Sequence, residues 1–209
     1  MFSTVAHLFT ALDQFCVHLS YSANSGFYGS SSSLCDLIYE ATPYLVLLLL
    51  ALPLVVFFTD MGKRSKIQVL RVGLITYLSV ILILGVIINL SLKTYWGRPR
   101  PRAFVTNAEN YRDFWQVNWH QSDIDNSFPS GHASVGFLFG LPFYTLTRKY
   151  RYIVYSCLLG IIIGTVRILQ GGHYVTDVFF AAVIVFIGYY LITKVVNYFL
   201  PVNKIQMRL

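Results

Sequence analysis

The chain has 209 residues, of which 56% are hydrophobic and 12% are charged, and its mean hydropathy is +0.58. A water-soluble domain carries about 25% charged residues, so this composition excludes an ordinary soluble enzyme and indicates a membrane protein of one domain. The formal net charge is +7, but Lys and Arg lie between apolar blocks and form no basic stripe, which argues against a nucleic-acid partner.

The first 42 residues come before the first strongly apolar block. Residues 1–21 have amphipathic spacing but are too polar for a clear span, which predicts an interfacial helix, with a sixth span as the alternative. The Ser- and Gly-rich residues 22–33 predict an extracytoplasmic loop. Cys16 and Cys35 could form a disulfide if this segment faces an oxidising compartment, or could remain two free thiols.

Five apolar blocks follow, each close to the roughly 20 residues that a membrane-spanning helix needs. They predict an all-α, multi-pass bundle that forms a single membrane domain over residues 43–200, followed by a cytoplasmic tail at residues 201–209. The predicted spans are residues 43–59, 67–92, 132–147, 152–170 and 174–200. Two Gly-x-x-x-Gly patterns, which start at Gly136 and Gly160, predict close helix packing within the chain, with dimerisation as the alternative.

Basic residues at three connections determine the predicted orientation. The positive-inside rule places the ends of the first and third spans and the C-terminal tail in the cytoplasm. The residues concerned are Lys63, Arg64, Lys66, Arg148, Lys149, Arg151, Lys204 and Arg208. Residues 93–131, predicted to be the active-site loop, then share the extracytoplasmic face with the turn near residue 170. This loop is itself rich in Lys and Arg, an exception that an anionic ligand would explain.

The first cluster with chemical content is Lys93-Thr-Tyr-Trp-Gly-Arg-Pro-Arg100-Pro101. A lysine supplies a point charge, and an arginine presents a planar fork that matches phosphate oxygens. The prolines keep the chain extended, so the basic side chains project instead of continuing a helix. The alternative is that these side chains only reach toward lipid head groups at the end of a span.

The second cluster, Pro129-Ser130-Gly131-His132, stands directly before a predicted helix. Ser130 is placed as an N-cap, and Gly131 allows an anion to approach the free N–H groups of the first turn. His132 would project into the same site as a proton donor or acceptor. The alternative is an ordinary capped helix with an incidental histidine.

The third cluster runs from Arg167 through Gly171 and Gly172 to His173 and Asp177. The glycines end one helix and turn the chain into the next. If that helix begins at residue 173, His173 and Asp177 lie four residues apart on one face. The carboxylate can then hold one imidazole nitrogen as N–H and leave the other free to attack. A structural ion pair is the alternative, although charges near a membrane span usually have a function.

In order and spacing, the three clusters resemble the type 2 phosphatidic acid phosphatase superfamily, which also includes the vanadium haloperoxidases and bacterial acid phosphatases. The family pattern is Lys, six residues, Arg-Pro; then Pro-Ser-Gly-His; then Ser-Arg, five residues, His, three residues, Asp. The matching residues are Lys93, Arg100, Pro101, Pro129 to His132, Arg167, His173 and Asp177. Val166 stands where the family often has serine, which removes a hydroxyl but no charged or reacting group.

The resemblance implies a haloperoxidase-like helical core and hydrolysis of a phosphate through a phosphohistidine, with no metal and no other cofactor. It implies that His173 is the nucleophile, that Asp177 orients it, and that His132 is the general acid and base. The phosphate-binding residues that it implies are Lys93, Arg100, Ser130, Gly131 and Arg167. Phosphoryl transfer depends mainly on positioning and charge stabilisation, so a cluster of cations can replace metal ions.

The predicted partners are the bilayer and a lipid phosphate; no oligomeric state is predicted. The family's lipid substrates include undecaprenyl pyrophosphate, phosphatidylglycerol phosphate, phosphatidic acid and lipid A. Trp96-Gly-Arg-Pro-Arg-Pro and Gln170-Gly-Gly-His173 resemble the bacterial lipid A phosphatase branch, with undecaprenyl pyrophosphate phosphatase as the alternative. That branch implies a bacterial inner membrane and an extracytoplasmic active site. The three tryptophans, in or beside residues 102–128, predict an interfacial belt or a lid over the head group.

Two other classes of function compete with the phosphatase. A metal-dependent hydrolase could use His120, Asp123 and Asp125, but their spacing fits no known metal site, and a chelator would inhibit only this class. A lipid transport protein would carry polar groups at mid-span and repeated halves. In this sequence the polar groups collect at span ends and no repeat is visible.

Overall fold

The computed structural model describes residues 2–59, 66–119 and 126–201, with the side chains from residue 4 onward. Several residues of the sequence predictions lie outside these ranges. They are Lys63 and Arg64, the suggested metal ligands His120, Asp123 and Asp125, and most of the C-terminal tail, including Lys204 and Arg208.

The chain begins with helix α1, Phe2–Ser20, followed by a short antiparallel hairpin. Its strands are β1, Tyr21–Ser22, and β2, Gly26–Phe27, and a 3₁₀ turn at Tyr28–Ser31 follows them. The segment predicted as a loop is therefore partly ordered into backbone hydrogen bonds. Helix α1 is not among the helices that are long and apolar enough to cross a membrane.

Four long apolar helices have the length and composition of membrane spans, and they confirm four of the five predicted spans. They are α2, Ser33–Thr59; α3, Lys66–Tyr95; α7, Arg151–Leu169; and α8, Val175–Phe199. The middle part of α3, Ser79–Leu92, has π-helical hydrogen bonding. Helix α2 begins well before the predicted residue 43 because Pro43 and Pro53 are both accommodated inside it. The described part of the chain is thus an all-α membrane bundle, apart from the hairpin.

Shorter helices connect and complete this bundle. Helix α4, Pro101–Thr106, and a 3₁₀ turn at Ala108–Asn110 lie in the loop after α3. Helices α5, Gly131–Phe139, and α6, Leu141–Thr147, precede α7.

The prediction of one continuous span over residues 132–147 is wrong, because α5 and α6 are separate helices that meet at Gly140. The N–H of Gly140 donates to the hydroxyl of Ser156 at 3.2 Å and to the carbonyl of Leu138, which is not the helical partner four residues back. Pro142 has no N–H to continue the hydrogen-bond ladder, and it stands in the first turn of α6, where proline is tolerated. Neither helix is long enough to span a membrane alone.

Helix α5 is the centre of the bundle and packs against α2, α7 and α8. A Cβ added at Gly136 would lie 2.7 Å from the Cα of Gly160, so the two backbones touch. At Gly140 an added Cβ would lie 2.1 Å from the carbonyl oxygen of Tyr152. The small residues of both Gly-x-x-x-Gly patterns therefore serve helix packing inside the chain.

The outward faces of the long helices remain apolar, as expected for contact with lipid tails. Large exposed hydrophobic side chains on them include Leu47, Phe58, Leu90, Ile161, Ile187 and Tyr198. Helix α1 has a similar outward stripe, formed by Val5, Leu8, Leu12, Phe15 and Leu19, while its inner face packs on α7 and α8. The end of α3, the beginning of α5 and the turn between α7 and α8 lie together at one end of the bundle.

Candidate active site

The turn between α7 and α8 brings Arg167 and His173 together. Gly171 has a φ of +64°, and its N–H donates to the carbonyl of Ile168 at 2.9 Å. The N–H of Gly172 donates to the carbonyl of Arg167, also at 2.9 Å. These two bonds are the Schellman pattern that ends a helix with glycine in the left-handed conformation. An added Cβ at Gly172 would lie 2.4 Å from Nη2 of Arg167, so the guanidinium occupies space that any other residue's side chain would fill.

His173 is buried, and the carbonyl oxygen of Ser127 lies 2.6 Å from its Nδ1. A carbonyl oxygen only accepts hydrogen bonds, so Nδ1 carries the proton and Nε2 carries the lone pair. Burial is the main cause that lowers the pKa of His173, and the carboxylate of Asp177 opposes it in part. At neutral pH the ring is therefore a neutral imidazole with Nε2 available for attack.

Asp177 lies in the first turn of α8, and both of its oxygens are occupied. Oδ2 accepts a hydrogen bond from the N–H of Tyr174 at 2.8 Å, and Oδ1 accepts one from Arg98 at 2.6 Å. The same Oδ2 lies 3.7 Å from Nδ1 of His173, which is ion-pair distance but too long for a hydrogen bond. The sequence placed His173 and Asp177 together, but the hydrogen bond to Nδ1 comes from Ser127, which it did not predict.

Helix α5 begins at the same end of the bundle. The hydroxyl oxygen of Ser130 accepts from the N–H of Ala133 at 3.4 Å, so this residue is the predicted N-cap. The N–H of Ser130 donates to the carbonyl of Asp177 at 3.2 Å, which joins the starts of α5 and α8. A Cβ added at Gly131 would lie 3.9 Å from Nζ of Lys93, so the ammonium group faces this glycine.

His132 stands in the first turn of α5 and meets a residue that the sequence analysis did not single out. The ring of Tyr39, on α2, stacks on its imidazole with centroids 4.5 Å apart and planes 23° apart. The guanidinium carbon of Arg167 lies 4.5 Å from the centroid of the same Tyr39 ring. Nothing in the local sequence of an apolar helix distinguishes Tyr39 from other tyrosines, because only tertiary packing brings α2 to this site.

The predicted cations converge on this place. Burial and the nearby charges of Arg167, Lys93 and Arg100 lower the pKa of His132 to about 3, so its imidazole is neutral at neutral pH. Nη1 of Arg167 donates to the side-chain oxygen of Gln170 at 2.6 Å, while its buried Nε has no hydrogen-bond partner among the residues described. The structure thus brings together every residue that the sequence proposed for the site, and an anion is the ligand that three clustered cations fit.

The three tryptophans in or beside the loop at residues 102–128 differ in how they are packed. The indole N–H of Trp96 donates to the carbonyl of Phe114 at 2.6 Å, and its ring lies against Phe128. Trp115 contacts Phe114, whereas Trp119 is 66% exposed. Trp96 is therefore built into the fold, and Trp119 remains the tryptophan best placed for lipid or head-group contact.

Two further predictions concern Cys and metal-binding residues. Cys16, Cys35 and Cys157 are all free, so the alternative of a Cys16–Cys35 disulfide is wrong. Within the described ranges, no group of three His, Cys, Asp or Glu side chains could hold a metal ion. The three residues suggested for a metal site belong to the undescribed gap after residue 119.

This fold and site define a membrane protein with the three-part phosphate motif, and the chain belongs to the PAP2 superfamily, whose profile matches residues 74–201. Among solved structures it is similar to LpxE of Aquifex aeolicus, with a TM-score of 0.52 and 25% sequence identity. That likeness covers 88% of this chain and 96% of the solved one.

Curated relatives include three phosphatases. Lipid A 4'-phosphatase of Francisella tularensis subsp. novicida is 34% identical over 113 residues, which cover 52% of this chain and 50% of that protein. Lipid phosphate phosphatase 1 of Arabidopsis thaliana is 31% identical over 170 residues, or 70% of this chain and 50% of the relative. Lipid A 1-phosphatase of Rhizobium etli is 35% identical over 117 residues, or 55% and 47%. The chain spans about half the length of these relatives.

Proposed function

We propose that this protein is an integral membrane phosphatase that hydrolyses a phosphate ester or pyrophosphate on a lipid head group. The observation that carries the proposal is the state of His173: it is buried, neutral, held as the Nδ1–H form by Ser127 and close to the cations Arg167 and Lys93. A neutral imidazole with a free Nε2 beside a cation cluster is suited to attack phosphorus. The names of the similar phosphatases support the same reaction class.

In the proposed reaction, Nε2 of His173 attacks phosphorus and the bond between phosphorus and the lipid oxygen breaks. Binding of the anionic phosphate would offset the cations near His132 and let this imidazole take up a proton from water. His132 gives that proton to the leaving lipid oxygen, and a phosphohistidine forms. His132 then takes a proton from water, which attacks phosphorus, releases inorganic phosphate and restores His173. Asp177, 3.7 Å from Nδ1, stabilises the positive charge that the ring carries in the intermediate.

The phosphate oxygens would be held by Lys93, Arg100 and Arg167 and by the start of α5. Because the Oγ of Ser130 accepts the capping bond, its O–H proton remains available to a phosphate oxygen. The N–H of Gly131 belongs to the first turn of α5, where N–H groups lack partners within the helix and favour anions. This set of charges and dipoles would neutralise the transferred group without a metal ion.

Lipid A is the substrate that we propose first. It is the substrate named for two of the similar proteins described above, and the Trp96 motif resembles that branch. Undecaprenyl pyrophosphate, phosphatidic acid and phosphatidylglycerol phosphate are the alternatives.

The proposed setting is a bacterial inner membrane. Residues 43–200 form the phosphatase domain, residues 93–131 form an extracytoplasmic active-site loop, α1 lies in the interface, and residues 201–209 form a cytoplasmic tail.

The test is phosphate release by the purified, detergent-solubilised protein from these four lipids, with and without EDTA. We expect release from at least one lipid, first of all lipid A, and no loss of rate with EDTA. Inhibition by EDTA would contradict the metal-free mechanism. No release from any of the four, by protein shown to be folded, would contradict the proposed function.

A further inference from the structure

Arg98 is a fully buried charged side chain near the site, with no exposed surface. Its Nη1 donates to Asp177 at 2.6 Å, and its Nη2 donates to Asp13 of helix α1 at 2.7 Å. Its Nε donates to the carbonyl of Arg112 at 2.9 Å, and its guanidinium carbon lies 4.1 Å from the centre of the Tyr174 ring. One planar guanidinium therefore joins the N-terminal helix to Asp177, and each of its three nitrogens donates to a different residue.

Asp13 also binds the start of α8 directly. Its Oδ1 accepts from the N–H of Thr176 at 3.0 Å, and its Oδ2 accepts from the Thr176 hydroxyl at 2.6 Å. The first N–H groups of a helix have no partner within it, so Asp13 acts as an additional cap supplied by another helix. Thr176 itself accepts from Nη1 of Arg98 at 2.7 Å, which closes a buried ring of hydrogen bonds among three residues.

The carboxylate of Asp177 is held by hydrogen bonds to both of its oxygens. Arg98 holds Oδ1, the Tyr174 N–H holds Oδ2, and the plane of the carboxylate is thereby set. His173 receives its nearest charge from that carboxylate, at 3.7 Å. Arg98 contacts the carboxylate of Asp177 directly, and Asp13 contacts Arg98. Their effect on chemistry would therefore pass through Asp177.

We propose that Asp13 and Arg98 are positioning residues that set the orientation of Asp177 and, through it, the carboxylate charge that faces Nδ1 of His173, so that helix α1 is a working part of the catalytic site. This inference rests on the proposed function of the His173 site. It differs from a simple anchoring of α1, because anchoring alone would not require contacts that converge on Asp177.

Asp13 belongs to α1, and Asp113 binds α1 from the long loop, so the two carboxylates allow a matched comparison. Asp113 accepts a hydrogen bond from the Thr10 hydroxyl of α1 at 2.5 Å and one from the Tyr111 hydroxyl at 3.0 Å, with no contact to Arg98. Asp13→Asn and Asp113→Asn therefore make the same chemical change at two different contacts of helix α1, but only Asp13→Asn removes a hydrogen-bond partner of Arg98.

The first measurement is steady-state phosphate release by both variants, with thermal unfolding as the check on folding. Asp13→Asn is expected to lower kcat roughly 10- to 100-fold, as loss of an outer partner of an active group does, with KM within about twofold. Asp113→Asn is expected to keep both constants within about twofold of the wild type. Wild-type kcat in Asp13→Asn, or an equal loss of kcat in Asp113→Asn, would overturn the proposal.

A second measurement does not depend on turnover. The two neutral tautomers of imidazole have distinct ¹⁵N spectra, and the five histidines can be labelled together, with His173→Gln to identify the signals of His173. We expect the Nδ1–H form in all three proteins, and a shifted Nδ1 signal of His173 in Asp13→Asn alone, because the carboxylate that faces this nitrogen changes its position. An unchanged His173 spectrum in Asp13→Asn would overturn the proposal. The spectrum can be recorded without turnover, so this outcome is distinct from an inactive wild type, which would contradict the proposed function.

Arg98→Lys is the third variant, because a lysine keeps the positive charge but loses the planar fork. One ammonium group cannot reproduce the contacts to both carboxylates and to the Arg112 carbonyl. We expect a fall in kcat at least as large as that of Asp13→Asn and the same change in the His173 spectrum. Retention of wild-type kcat by Arg98→Lys would show that the buried charge alone suffices and would contradict positioning by the fork.

Discussion

A backbone carbonyl determines the chemical state of His173. The Ser127 oxygen can only accept, so the 2.6 Å contact requires the proton on Nδ1 and leaves the lone pair on Nε2. The side chain of Ser127 has no such role, since its buried hydroxyl has no hydrogen-bond partner among the described residues. Asp177 adds charge from 3.7 Å, but the tautomer depends on the path of the backbone before α5.

His173→Gln tests the proposed nucleophile directly. Glutamine is similar in size and polar, but it cannot form the phosphoryl intermediate, so we expect phosphate release to fall by about 10³-fold or more. The matched control is His7→Gln on the exposed face of α1, which should retain wild-type release. A folded His173→Gln protein that releases phosphate at the wild-type rate would exclude His173 as the nucleophile.

Tyr39 is expected to act through its ring. The ring stacks on His132 at 4.5 Å and faces Arg167 at 4.5 Å, and each such contact contributes about 1 kcal/mol. Tyr39→Leu should therefore raise KM or lower kcat/KM by roughly tenfold, while Tyr39→Phe should stay close to the wild type. Steady-state kinetics on the lipid found active in the panel is the measurement. If Phe and Leu have equal effects, the hydroxyl and not the ring carries the role.

At the scale of helices, glycine contacts determine how α5 is placed. Gly136 lies against the backbone of Gly160, and α5 in turn presents Ser130, Gly131 and His132 to the site. The closeness of α5 and α7 therefore fixes the distance between His132 and Arg167. A change in helix packing at Gly136 would therefore also move His132, which lies one turn earlier in α5.

Gly136→Ala and Gly85→Ala should have effects of opposite sign on stability. The Cβ at position 136 would meet backbone atoms of α7 at 2.7–3.0 Å, which cannot move without shifting a helix. We expect the free energy of unfolding to fall by roughly 1–3 kcal/mol. At Gly85 the nearest atom is 3.7 Å away, so the better helix propensity of alanine should raise it by up to about 1 kcal/mol. Thermal unfolding in detergent measures both, and equal shifts would contradict the packing argument.

At the scale of the whole molecule, the site gathers at one end of a bundle whose flanks are apolar. The ends of α3 and α7 and the beginnings of α5 and α8 meet there, and α1 covers part of that end. The connection between α6 and α7, with Arg148, Lys149 and Arg151, lies at the other end. A substrate anchored in a bilayer would present its phosphate to the site from the membrane surface, which agrees with a head-group substrate.

Cysteine labelling tests the proposed orientation. In a variant with Cys16, Cys35 and Cys157 replaced by alanine, Asn107→Cys lies in the exposed active-site loop and Tyr150→Cys lies in the connection before α7. We expect a membrane-impermeant maleimide to label position 107 in intact cells, and position 150 only after the membrane is opened. The reverse pattern would place the site on the cytoplasmic face.

The local sequence was sufficient to predict the membrane class, four of the spans and the residues that converge on the site. These features follow from apolar length, from the spacing of Lys93, Arg100, Arg167, His173 and Asp177, and from the N-cap at Ser130. They are encoded in neighbouring residues because helix ends and turns depend on local hydrogen bonding. The break at Gly140 was missed because a run of apolar residues does not reveal where a side chain of another helix takes over an N–H.

Only the tertiary structure decided which groups contact His173, His132 and Asp177. The Ser127 carbonyl on Nδ1, the Tyr39 ring on His132 and the Asp13–Arg98 link to Asp177 join residues that are 46 to 163 positions apart, or lie on separate helices. No local pattern encodes such contacts, since they depend on how helices pack and on which buried polar groups must find partners. The sequence by itself determined which residue types can meet at this site, and helix packing decided the tautomer of His173 and the orientation of Asp177.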